Sequence, residues 1–191
     1  LTTTEDDQFA VPDQRRRAVL LVGFMGAGKT SVGKALAERL HWRFLDLDEL
    51  VVAREGREIA GIFREFGEQG FRARESAALQ ELLRELKLSS KHTVVAMGGG
   101  AVIQPENRDA ISSSGFPVIF LDAPARELFQ RCAAQNIQRP LLSNVEDFEQ
   151  LYRSRQSHYA MLGARLDTSG SSVNEICNKI QESLGLAEEQ H

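Results

Sequence analysis

One stretch near the amino terminus, "AVLLVGFMGAGKTSVGKALAERL" (residues 18–40), constrains the fold more than any other. It joins an apolar run to a helical repeat through a turn crowded with glycine. Each glycine gives up extra backbone freedom on folding, so such a turn is unfavourable unless something compensates. The run "AVLLVGF" shows no polar alternation, as expected of a strand covered on both faces in a parallel sheet. Residues 28–40 carry Val32, Leu36 and Leu40 at helical spacing. Between strand and helix, residues Gly23 to Thr30 match the pattern G-x-x-x-x-G-K-S/T. Gly23, Gly26 and Gly28 let backbone N–H groups point inward, and the helix that follows adds its positive dipole end. Lys29 offers a charge to β- and γ-phosphates, and the Thr30 hydroxyl offers a ligand to Mg2+. Bound phosphate is what compensates the glycines. The motif predicts a nucleoside triphosphate site, and alone it does not separate kinase, GTPase and motor.

Downstream, strands and helices alternate. "WRFLDLD" reads as a strand ending in acids. Residues 49–56 and 58–67 read as short helices, and 71–86 as a longer one with Ala78, Leu82 and Leu86 in register. "HTVVAM" is a strand that ends at Gly98, Gly99 and Gly100. "QPENRDAISSS" is a helix with Pro105 near its start, "FPVIFLD" a strand, and 125–133 a helix. The polar segment "AQNIQRPLLSN" reads as a loop, 146–162 as a helix, "ARLDT" as a last strand and 173–184 as a closing helix. Residues 1–14 are expected to be a disordered lead-in, 15–186 a single domain, and 187–191 a frayed tail. A chain of 191 residues suffices for one full core. The alternation predicts an α/β fold around a parallel sheet. Ligands in such folds sit at the carboxyl ends of the strands, where "GFMGAGKT", "DLD", "GGG" and "LDAP" collect.

The net charge of −4 shows no basic excess, which argues against a nucleic-acid surface. No apolar stretch approaches membrane-spanning length. The opening "LTTTEDDQFAVPDQ" is polar and acidic, without the apolar segment of a secretory signal. Cys132 and Cys177 lack a metal-type spacing and suit a reducing compartment better than a disulfide. The expectation is a cytosolic protein without membrane or nucleic-acid partners. His41, His92 and His158 have no ligand-type spacing, and Trp42 reads as packing.

Asp46 and Asp48 stand two apart at a strand end. Alternate strand residues share a face, so both are expected to point into the site, one near Mg2+ and one near an acceptor hydroxyl. Glu49 reads as charge at a helix N-terminus. Gly98, Gly99 and Gly100 could receive an anion or let a ring approach closely; a plain tight turn fits them equally well on local grounds. An anionic substrate would need guanidinium forks. Arg72, Arg139 and Arg155 lie where such forks would be useful, yet on spacing alone Arg57, Arg74 and Arg153 are equal to them.

With "FLDLDEL", "FGEQGFRARE", "GGGAVIQPENR" and "RPLL" following the glycine turn in order and at fitting distances, the chain resembles the shikimate kinases from about Ala18 to about Leu184. The resemblance implies the fold of P-loop nucleoside monophosphate kinases: a five-stranded parallel sheet flanked by helices, a mobile lid at about 134–144, and a substrate-binding helical segment. It implies transfer of the γ-phosphate of ATP to the 3-hydroxyl of shikimate with Mg2+, on the route to chorismate and aromatic amino acids. It places Gly26, Ala27, Gly28, Lys29, Thr30, Ser31 and Arg139 at the nucleotide, and Thr30 and Asp46 at Mg2+. It places Asp48, Arg72, Gly98, Gly99, Gly100 and Arg155 at the acceptor acid. Lys29, Asp48 and Arg139 become the catalytic set. A monomer is expected.

The chain departs from the family pattern in two places. "RQSHY" puts Ser157 and His158 where R-x-P-L-Y is usual, and Val173 stands where the adenine loop commonly has proline. Arg131 is the candidate for stacking on adenine. Two rival readings accompany the first: a kinase for another hydroxylated acid, such as quinate or gluconate, and a nucleotide-binding regulatory module without catalysis. The intact Lys29, Thr30, Asp46, Asp48 and Arg139 argue against the second.

Overall fold

β1 (Ala18–Val22) is buried at every residue, as its unbroken apolar run requires at the centre of a parallel sheet. It pairs in parallel with β3 (Thr93–Ala96) on one side and β4 (Val118–Asp122) on the other. β2 (Arg43–Asp46) and β5 (Ala164–Asp167) form the edges, so the order is β2-β3-β1-β4-β5. All four pairings are parallel. This is a computed structural model, and it describes residues 17–134 and 144–186. The expected lead-in and tail, residues 135–143 of the expected lid, and Arg139 with them, lie outside the described residues.

Helices α1 (Lys29–Arg39), α2 (Leu47–Glu55), α3 (Ile59–Leu88), α4 (Pro105–Ser114), α5 (Ala125–Ala134), α6 (Val145–Ala160) and α7 (Val173–Leu184) connect and cover the strands. α1 packs on α7, α3 on α4, and α5 on α6. One core joins Leu20, Leu21 and Phe120 of the sheet to Leu36 of α1, Leu79 of α3 and Ile180 of α7. Pro105 opens α4 at its first turn, as the sequence predicts. α7 starts with a capping box between Ser172 and Glu175. Val173 therefore begins a well-capped helix where the family commonly has proline. Cys132 and Cys177 are buried, and Trp42 stacks on His92 at 4.8 Å.

Two local expectations are corrected and one element is added. The strand of "WRFLDLD" stops at Asp46, because the Asp46 carboxylate caps α2 by accepting from the Asp48 amide. The helices expected at 58–67 and 71–86 abut within α3, where Gly67 alone departs from helical geometry (φ 66°, ψ −174°). A left-handed φ is open to glycine at little steric cost, so one residue makes the turn and no loop is needed. The triple glycine continues into a short 3₁₀ turn, Ala101–Ile103, that no propensity announced.

At the end of β4, Asp122 is wholly buried and ties three elements together. Its carboxylate accepts from the Tyr152 hydroxyl on α6 and from Arg165 Nε on β5, each at 2.8 Å. Its carbonyl accepts from Thr168 Oγ1 at 3.0 Å. Arg131 on α5 donates in turn to the Thr168 carbonyl and to Glu127. This knot fixes α6, which carries Arg155. Removing a buried acceptor leaves its donors stranded, at a cost of ~2 kcal/mol. Asp122→Ala should therefore lower the melting temperature by about 4–8 °C in a chain of this size. A melting point unchanged to within a degree would show that the knot contributes nothing.

Candidate active site

The glycine turn leaves β1 with φ of 151° at Gly23, 79° at Gly26 and 87° at Gly28, values that favour glycine. Contact adds a second constraint: a Cβ on Gly26 would lie 2.5 Å from the Leu128 carbonyl oxygen. Gly28 precedes α1 without a side-chain cap, so the first amides of the helix are left for a ligand. Lys29 Nζ donates to the carbonyls of Gly23 (2.9 Å) and Phe24 (3.0 Å). Its charge is thereby held across the turn.

Next to the turn, Thr30 Oγ1 donates to Asp46 Oδ2 at 2.8 Å. The other carboxylate oxygen, Oδ1, accepts from the Asp48 amide at 3.0 Å. Asp48 itself lies in the first turn of α2. Strand alternation is therefore not what brings the two acids together. The chain reverses from strand to helix between them, and both still line the same cavity. Among the described residues no group of three or more His, Cys, Asp or Glu could cage a metal ion. Mg2+ does not need one. It takes one or two protein oxygens and completes its shell with water and substrate phosphates. The adjoining Thr30 hydroxyl and Asp46 carboxylate are the hard donors it prefers, so the residues fit the ion.

The triple glycine lies beside the phosphate turn, with Gly99 near Gly23 and Met25 and lining the same cavity as Lys29. At Gly98 and Gly100 contact, not φ, favours glycine. A Cβ on Gly98 would lie 2.6 Å from Asp48 Oδ1 and 2.8 Å from Glu75 Oε1, and one on Gly100 only 2.1 Å from Arg72 Nη1. Arg72 sits on α3 just past the Gly67 kink and pairs with Glu75 at 2.8 Å and with Glu68 at 3.3 Å. Burial pushes the Glu75 carboxyl up, Arg72 pulls it back down, and the Asp48 charge pushes it further up. Arg155 approaches from α6, beside the Tyr159 hydroxyl, with its guanidinium carbon 5.9 Å from the centre of the Phe24 ring.

The result is one cavity of about 160 Å3 that the phosphate turn, Asp46, Asp48, Gly99 and Arg155 line together, with Met25 and Met97 as apolar walls. Gly26, Gly28, Thr30 and Ser31 reach it from the turn. Ala27 is buried beneath. The described arginines that spacing left equal are separated, Arg139 lying outside the described residues. Arg74 pairs with Glu55, Arg57 with Glu65, and Arg153 with Glu149, while Arg72 meets Gly100 and Arg155 lines the cavity. Arg131 is held by Thr168 and Glu127. Sequence reasoning gave no role to Glu75, although it stands three residues after Arg72, the spacing of facing residues on a helix. It gave none to Tyr159 either.

A parallel sheet of this order, a phosphate turn on its central strand and acids and an arginine lining the same cavity define a P-loop phosphotransferase for a small acceptor. The sequence profile of the shikimate kinases matches residues 25–185. A shikimate kinase from Persephonella marina is 41% identical over 165 residues, covering 86% of this chain and 96% of the relative. One from Geobacter sulfurreducens is 41% identical over 174 residues, covering 90% and 92%. The solved shikimate kinase of Acinetobacter baumannii, in complex with shikimate, superposes with a TM-score of 0.79 at 34% identity, covering 90% of this chain and 95% of that one. The chain belongs to the shikimate kinase family. A gluconokinase from Sinorhizobium meliloti, 19% identical with a TM-score of 0.59, shares the fold.

Proposed function

We propose that this chain transfers the γ-phosphoryl group of ATP to the 3-hydroxyl of shikimate, giving shikimate 3-phosphate and ADP. The observation that carries the reading is the single cavity lined by Lys29 and the phosphate turn together with Asp48, Gly99 and Arg155, with Arg72 against the neighbouring Gly100. Such a transfer needs little covalent help from the protein; positioning and charge stabilisation dominate. Lys29 and the amides of the turn hold the phosphates. Thr30 and Asp46 would hold Mg2+, which supplies positive charge to the phosphate oxygens when bound. Asp48 orients the acceptor hydroxyl and takes its proton. Arg72 and Arg155 hold the acceptor carboxylate, and Glu75 fixes the Arg72 fork. Arg139, outside the described residues, is proposed for the phosphates through the family motif "RPLL". We further propose a monomer of the cytoplasm; Cys132 and Cys177, far apart in the sequence, suit a reducing compartment better than a disulfide.

The deciding assay follows ADP release from Mg-ATP with shikimate, quinate, gluconate or no acceptor in parallel. Release with shikimate far above the other arms is expected. Faster release with another acid would move the substrate, and ATP binding without release under any acid would favour a regulatory module. Arg72 gives a second check. Loss of a guanidinium facing a carboxylate removes ~1.5–3 kcal/mol, so Arg72→Ala should raise KM for shikimate about 10- to 100-fold and leave KM for ATP within about twofold. Equal rises in both would take Arg72 off the acceptor.

A further inference from the structure

Each carbonyl from Gly98 to Ile103 has a partner inside the protein. Gly98 and Gly100 accept from the amides of Ala101 and Ile103 within the 3₁₀ turn. Ala101 accepts from Asn107 Nδ2 at 2.8 Å, and Val102 and Ile103 from Arg108 Nη1 at 2.9 and 2.8 Å. The remaining one, Gly99, accepts from the Tyr159 hydroxyl, sixty residues away on α6. The amides tell the opposite story. Among the described residues no backbone carbonyl accepts from the N–H groups of Gly98, Gly99 or Gly100. Gly98 and Gly100 are buried, and Gly99 lines the cavity.

We propose that Tyr159 is a positioning residue for the phosphoryl acceptor, setting the direction in which the glycine turn presents its amides. In a trans peptide the C=O of one residue and the N–H of the next point in opposite directions. Drawing the Gly99 carbonyl toward α6 therefore turns the Gly100 amide away from α6. The Gly99–Gly100 peptide has no side chain to limit its rotation, so without the hydroxyl nothing else observed on the Gly99 carbonyl fixes that plane. Tyr159 suits the task. Its ring is fully buried and stacked on Phe120 at 5.3 Å, which fixes the hydroxyl in space. Burial also pushes its pKa up to about 12, so it stays a donor throughout the working pH range. The same hydroxyl adjoins Arg155 and so couples the glycine turn to the second arginine of the acceptor site. Ser157 and His158, the departures in "RQSHY", leave both functional ends of this segment in place.

The inference rests on the acceptor reading above, and the test separates the two. Tyr159→Phe keeps the ring and deletes only the hydroxyl. With purified enzyme, shikimate and Mg-ATP, KM for shikimate should rise about tenfold. KM for ATP should stay within about twofold and the melting temperature within about 3 °C. Amide NMR of the unliganded protein should show the Gly100 resonance displaced in the variant. An unchanged KM for shikimate overturns the proposal, as does a parallel rise in both KM values with a lowered melting point, which would mark a structural residue. If the wild-type protein does not turn over shikimate, the acceptor reading fails first. The NMR arm then decides the positioning on its own: an undisplaced Gly100 amide overturns it.

Discussion

Lys29→Met should lower kcat/KM about a thousandfold, the upper range for deleting one preorganised charge donor at a transition state. The melting temperature should change by only a few degrees. The two expectations come from the same geometry. Lys29 Nζ lies across the turn on the carbonyls of Gly23 and Phe24, so its ammonium is already placed before any phosphate arrives. No reorganisation is then needed when charge builds on the transferring group, and this makes a fixed donor more effective than water. The stem of Lys29 begins α1 at a partly exposed position. Methionine replaces that stem and loses the charge together with the two hydrogen bonds to the turn. The decisive comparison is steady-state ADP release against thermal unfolding in the same preparations. A loss of activity below about tenfold would mean that the amides of the turn suffice to stabilise the phosphates. A collapse of the melting point would mean that Lys29 mainly holds the turn together.

Some of this site is legible in the sequence and some is not, for physical reasons. The phosphate turn is legible because its constraint is local: strand, glycines, lysine and helix lie within a few residues of one another. The parallel sheet is legible because a doubly covered strand must be apolar throughout, as β1 is. The arginines are different. Arg72 and Arg74 are two residues apart on α3, and composition does not tell them apart. What separates them is the rotation of the helix after Gly67, which aims Arg72 at Gly100 and Arg74 at Glu55. The triple glycine shows the same limit. Its residues look like a flexible turn, yet none needs a left-handed φ. At Gly98 and Gly100 the side-chain ends of Asp48, Glu75 and Arg72, from two other elements, occupy the space of a side chain, while Gly99 has room for one. Long-range contact leaves no period and no local propensity, so on local grounds the glycines stay ambiguous, Arg72 stays level with Arg74, and Glu75 has no role. Strand alternation predicts that Asp48 points into the site, and the first turn of α2 places it there instead.

Asp48→Asn is the second large effect. It should reduce kcat by about 10²–10⁴, the usual contribution of a positioned general base, and leave KM for ATP within about twofold. Asparagine has nearly the same shape, and Asp48 holds Asp46 through its backbone amide, which the substitution spares. The Thr30–Asp46 pair and the proposed Mg2+ contacts therefore survive. What disappears is a negative charge and the ability to take a proton from the acceptor hydroxyl. The charge has a second consequence. Asp48 is one of the groups that hold the Glu75 carboxyl above its ordinary range, while Arg72 and Arg155 work against it. Removing Asp48 should move the Glu75 pKa downward and keep Glu75 ionised, and paired with Arg72, to lower pH. The two roles of Asp48 can then be read from one pH series. If Asp48 is the base, the residual rate of Asp48→Asn should lose the acidic limb of the kcat profile, since no proton acceptor is left to titrate. If Asp48 only orients the hydroxyl, the limb should remain and shift to lower pH with Glu75. Turnover equal to wild type at every pH would remove Asp48 from the mechanism altogether.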